Sequence, residues 1–260
     1  MLRQLNELNP WLLAVLIVGA AEVYSTGLML VCRRRWGMDR LALNNEVAGF
    51  KFAVVGVFYA VLLAFVVVAV WEDYRDTEIA VRDEAKALVD LHEVSFALPG
   101  TAGEQIRHRV IDYLKTVRDS EWPAMAEGKA SAEASAELRR LRQSILAGKP
   151  QDLKDASIYD HALDLLTMVN DNRNERLDKA DGTVPRALWL VLIAGALITL
   201  GYPAFFGTSN LVAQILMTAA LAALVALTFL VGMLLDFPFT GAVGISSEPF
   251  QQALKQMPAV

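Results

Sequence analysis

One cysteine and three histidines in 260 residues leave little room for metal or thiol chemistry. A lone Cys32 excludes an intrachain disulfide and a cysteine-cluster metal site. It ends an apolar run, where an inert thiol at a membrane edge is expected rather than a nucleophile. His92, His108 and His161 fall on three different expected helices, none with a second ligand at a spacing such as HExxH. His92-Glu93 and Asp160-His161 are adjacent pairs, and adjacent residues point to different helix faces. GxSxG, a glycine-rich phosphate loop and CxxC are all missing. So is any basic run of the length that nucleic acid requires. No catalytic residue, metal or cofactor is expected, and no nucleic-acid partner.

What the chain does have is apolar sequence. Hydrophobic residues make up 55% and the net charge is −5, with the apolar excess gathered into two blocks. That is the pattern of an integral membrane protein carrying a soluble insert. Four runs are long enough to span a bilayer: 11–32, 47–71, 187–206 and 211–235. The N-terminus MLRQLNELNP lacks the look of a cleavable signal, so the first run is expected to stay. The reading is all-α, with four transmembrane helices and a helical domain between the second and third. Its parts are a helix pair in 1–71, an insert at 72–186, a second pair in 187–235 and a tail at 236–260.

The second run is the most informative. From Val47 to Trp71 its only charge is Lys51, and no proline separates it from the charged stretch EDYRDTEIAVRDEAK that follows. One continuous helix is expected to leave the membrane and continue into water. Gly49, Ala53, Gly56, Ala60 and Ala64 recur at spacings of three and four, a row that lets another helix approach closely. Phe50, Val54, Phe58 and Phe65 are read as the opposite face, turned to lipid or to an apolar constriction. Below them Glu72, Asp73 and Asp76 either coat a solvated stem or, in a ring of copies, attract cations. Glu22, inside the first run, is an intramembrane carboxylate. It either fixes packing in neutral form or marks a functional site, with Lys51 a distant partner.

The insert shows helical periodicity throughout and no strand-length alternation. Its first helix reaches Phe96 and stops at Pro99-Gly100. Thr101 to Glu104 reads as a capping box opening the second, which Trp122-Pro123 kinks or ends. A third helix covers about 130–146 and a fourth about 152–179. Between 72 and 186 there are 23 acidic and 17 basic residues, expected to coat solvated faces. Gln214 and Thr218 are expected to face a neighbouring helix. Within about twenty residues of the membrane ends, nine basic residues on the insert's side outweigh four in 33–46, which puts the insert in the cytoplasm.

Three stretches, VVGVFYAVLLAFVVVAVWEDY, YLKTVRDSEWPAM and LDFPFTGAVGISSEPF, are similar to bacterial bestrophin-like membrane proteins of unknown function, over nearly the whole chain. More distantly the chain resembles bestrophins proper, pentameric channels whose second membrane helix lines an apolar neck and continues into a cytosolic helical domain. Gly56-Val57-Phe58-Tyr59 and Trp71 resemble the Gly-Phe-Tyr step and the tryptophans of that helix. The step here carries an extra valine, and Trp71 lies about a turn further on. The resemblance implies a homo-oligomeric ion channel of the inner membrane, in contact with lipid and inorganic ions. It puts Phe50, Val54 and Phe58 at the constriction. The alternative is a non-conducting membrane sensor or scaffold whose helical insert binds a ligand or partner.

Overall fold

The computed structural model describes residues 2–6, 8–98 and 101–257, and among them every regular element is helical. In order these are α1 (Leu2–Asn6), α2 (Pro10–Trp36), α3 (Met38–Ala42), α4 (Asn45–Val94), α5 (Ala102–Thr116), α6 (Trp122–Ala126), α7 (Ala132–Leu146), α8 (Leu153–Asp178), α9 (Arg186–Gly201), α10 (Leu211–Asp236) and α11 (Glu248–Gln256). α2, α4, α9 and α10 are long and apolar enough to cross a membrane. The chain divides into two compact units. The first takes the sequence up to Glu72, Thr183–Asp236 and Gly241–Val243; the second takes Asp73–Gly182, Phe237–Thr240 and the residues from Gly244 on.

In the first unit, sequence-encoded caps set the helix ends. Asn9 accepts from Trp11 N at 2.9 Å with Pro10 at the first helical position, which suits its fixed φ. Gly37, at φ 78°, ends α2. α2 packs extensively along α10, while α4 meets the other helices of this unit through one side. That side presents Tyr59, Leu63, Val66 and Val70, which pack with Leu13, Trp189, Leu192, Leu230 and Met233. Gly195 makes this possible: a Cβ there would sit 2.6 Å from a Tyr59 ring carbon. The 207–210 turn is pinned by Asn45, which donates to Gly207 O at 2.6 Å and accepts from Gly207 N at 3.0 Å. Arg33 adds bonds to Thr208 O at 2.7 Å and Gln214 Oε1 at 2.8 Å. Gln214 and Thr218 are both buried on α10.

The second unit has its own core. Val81, Leu88 and Leu91 of α4 meet Ile106, Val110 and Leu114 of α5, with Leu141, Leu166, Val169 and Phe250 closing around them. Each such side chain stabilises by about 1.5–3 kcal/mol on full burial. Trp122 lies edge-on to Phe239, its Nε1 donating to Ile245 O at 3.2 Å. Phe239 and Phe250 of the stretch LDFPFTGAVGISSEPF are therefore core residues of this unit.

Two expectations change in detail, and a third lies untested. The Thr101 capping box does not form: Thr101 has helical backbone angles and makes no side-chain cap bond. α5 does not simply kink at Trp122-Pro123, because a π-helical turn at Val117–Glu121 precedes the proline and the chain stays helical to Ala126. The expected stop at Pro99-Gly100 lies outside the described residues. α7 and α8 start as side-chain caps dictate, from Ser131 accepting from Ala134 N and Asp152 accepting from Asp155 N.

Candidate functional site

On α4, successive residues turn by about 100°, so position alone sorts its faces. Phe50, Val54 and Phe58 fall within one sector, and all three are open, at 75%, 44% and 75% exposure. Val57, Val61, Phe65 and Val68 extend this face down the helix, also exposed. Gly49, Ala53, Gly56, Ala60 and Ala64 form a row centred roughly 120° away. The two rows therefore adjoin, and neither is opposite the other. The face truly opposite the aromatics is the buried one, led by Tyr59 and Leu63. Ala53, Ala60 and Ala64 are exposed, a Cβ on Gly56 would meet nothing within 4 Å, and Gly49 has only the Phe206 ring at 3.8 Å. Among the described residues, the small-residue row thus packs against no helix of its own chain. The Phe58-Tyr59 step splits: Phe58 points outward and Tyr59 inward onto Gly195.

The acidic residues that follow on α4 are only partly free. Glu72 is exposed. Asp73 accepts a hydrogen bond from Lys179, which with Asp73's charge raises the lysine's pKa. Asp76 pairs with Arg75 at 3.3 Å. Glu22 is half-buried and Lys51 exposed, and they make no ion pair with each other. Among the described residues no three His, Cys, Asp or Glu side chains gather as a metal site. His92 is buried edge-on to Phe96, with its Nε2 lacking a hydrogen-bond partner. Burial, followed by the charge of Arg107, lowers its pKa from 6.5.

The largest surprise lies in the second unit, where Glu84, Glu121 and Arg176 are fully buried and Arg173 is nearly so. Arg176 grips Glu84 with two bonds, Nε to Oε2 at 2.8 Å and Nη2 to Oε1 at 3.0 Å. It also donates to Glu121 Oε2 at 2.9 Å. Arg173 donates to both Glu121 oxygens, at 3.1 and 2.5 Å, and to Ser135 Oγ at 2.8 Å. Tyr113 donates to Glu84 at 2.8 Å. Burial opposes ionisation of Glu121, but the Arg173 hydrogen bonds and the Arg176 charge prevail and lower its pKa. Two acids and two bases make the cluster electrically neutral, which is what permits its burial. Composition alone makes these charges solvated, yet each sits in phase with an apolar stripe. Glu84 falls between Val81 and Leu88, Glu121 follows Leu114 and Val117, and Arg173 and Arg176 continue Leu166 and Val169. A charge in register with a core stripe is the signal that could have found them.

A family model for the bestrophin-like domain matches residues 19–250. No curated protein matches this chain. Among solved structures, a bacterial bestrophin homologue from Klebsiella pneumoniae is 14% identical with a TM-score of 0.64, covering 92% of this chain and 98% of that one. A point mutant of that homologue gives 14% identity and a TM-score of 0.67, over 93% and 96% of the two chains. A mutant described as a membrane protein gives 13% and 0.68, over 94% and 99%. At these identities the likeness is one of fold.

Proposed function

The chain belongs to the bestrophin-like family, and on that premise we propose that it is an oligomeric ion channel of the inner membrane. Copies form a closed ring, a pentamer by the family resemblance, with α4 innermost. Phe50, Val54 and Phe58 point to the axis and gate by dewetting. The row from Gly49 to Ala64 receives the α4 of the next copy, where small residues allow close contact. Glu72, Asp73 and Asp76 stand beyond the constriction in the direction of the chain and concentrate cations, with Asp73's share reduced by Lys179. The insert lies in the cytoplasm.

One observation carries this reading: α4 is held within its own chain on a single face, so its aromatic row and its small-residue row are both open along the apolar length. Phe58→Ala in protein reconstituted into planar bilayers is expected to raise conductance severalfold. Absence of current in both wild type and variant would sink the channel reading.

A second reading, a non-conducting sensor or scaffold, draws support from the insert's independent core and charge cluster. Particle stoichiometry separates the two. A monomer or simple dimer favours the sensor, a ring with α4 lining its axis the channel.

A further inference from the structure

The second unit contains a cleft of about 580 Å³ between α7 and α8 that is lined by three arginines, Arg139, Arg142 and Arg173, and by no carboxylate. In a stretch with 23 acidic and 17 basic residues that segregation stands out. Another cleft of the same unit, between α4 and α11, mixes Glu78, Asp90 and Glu248 with Arg82 and Lys86. Most arginines of the insert have acidic partners, as Arg82 has Glu78 and Arg140 has Glu137. Arg139 and Arg142 have none among the described residues. They stand three apart on one face of α7, where like charges repel and destabilise a helix.

Arg173 is placed differently. It is 94% buried, being 6% exposed, and its Nε and Nη2 are committed to Glu121 and Ser135. Its Nη1 has no partner among the described residues. The buried cluster thus holds one guanidinium rigidly at the cleft wall with a donor to spare, while the two α7 arginines are free to close on a ligand. Thr167 gives its proton to Leu163 O at 2.9 Å, so its hydroxyl oxygen is left to accept. Leu146 and Leu163 supply an apolar surface in the same cleft.

We propose that this cleft binds a soluble phosphomonoester with an apolar body, independently of whether the chain conducts. Guanidinium groups meet phosphate oxygens with paired, charge-assisted hydrogen bonds; the two unpaired arginines of α7 balance a dianion, and Arg173, its charge already met by Glu121, adds its spare donor. The volume lies within the range of small-molecule sites and suits a body of one or two rings against the leucines.

The probe is 1-naphthyl phosphate, titrated calorimetrically into the full-length protein in detergent at low ionic strength, where screening is least. Binding is expected to be tighter than that of inorganic phosphate, and 1-naphthol is expected not to bind in the cleft. Arg139→Gln with Arg142→Gln should weaken binding by about tenfold or more. Both side chains are exposed and without acidic partners, and removing them relieves their repulsion, so the variant's unfolding temperature should not fall. Lys115→Gln with Lys154→Gln, equal in charge removed but outside the cleft, should bind as wild type does. Leu146→Ser should weaken 1-naphthyl phosphate and leave inorganic phosphate unaffected. Equal weakening by the two double variants, equal affinity for ester and inorganic phosphate, or no binding by wild type each overturns the proposal.

Discussion

The two units of this chain bury charged groups to very different extents. In the first, helices meet through apolar and uncharged polar side chains, and the one buried acid among the described residues, Asp236, is met by N–H groups: Thr183 N and Val184 N at 2.9 Å and Trp189 Nε1 at 3.1 Å. In the second, four charged side chains lie in the centre of the fold and satisfy each other. A membrane-facing unit can leave apolar surface outward at no cost, so its interior needs only fit. A unit in water gains most of its stability from burial, and charges placed in its core must be paired with good geometry. The difference is that the first unit is sensitive to volume and the second to charge.

Arg176→Met is the most severe way to break the comparison. It leaves Glu84 and Glu121 buried with less compensation, and a loss of about 3–5 kcal/mol is expected. Hydrogen exchange of the purified protein should show it in α5, α7 and α8; a loss below about 1 kcal/mol would mean that the cluster is no more than packing. Gly195→Ala tests the other side. Its new methyl meets the Tyr59 ring, and overpacking of this kind costs about 1–3 kcal/mol. Pairing it with Tyr59→Val should restore most of the unfolding temperature, and failure to do so would remove the volume argument.

The smallest effect is a pH dependence in the second unit. His92 has a folded pKa below its unfolded value of 6.5, so the unfolded chain takes up the proton first as pH falls. Its contribution is complete above about pH 6.5 and is lost as pH falls through the folded value. Each tenfold drop in proton affinity on folding corresponds to about 1.4 kcal/mol. The unfolding temperature should fall between about pH 7.5 and 5.5, and His92→Gln should flatten that slope. An unchanged slope would assign the dependence to other groups.

Much of the fold was legible because long apolar runs admit few arrangements. The four long apolar helices and the unbroken course of α4 follow from local rules, whereas the capping box read at Thr101 does not form. The faces of α4 were legible as rows, but their relation needed the buried side as reference, and only packing onto Gly195 shows which side that is. The charge cluster was not legible as such, since Glu84 and Arg176 sit among many charges that do face water. The π turn at 117–121, which ends at Glu121, has no local sequence signal either. The cluster also alters the charge balance at the membrane ends. Arg173 and Arg176 are among the nine positive residues on the insert's side, yet both are buried and neutralised, which leaves seven against four.

The pairing of Glu84 with Arg176 also sets an order on synthesis. Glu84 leaves the ribosome 92 residues before the guanidinium that neutralises it. At about 5–20 residues per second, that interval is roughly 5–20 s. Over that time an ionised Glu84 has no guanidinium to offset its burial, so burying this face of α4 is unfavourable until Arg176 arrives. The buried charge cluster closes only once α8 has been made, and a nascent chain halted before Arg173 leaves Glu84 and Glu121 without their guanidinium partners.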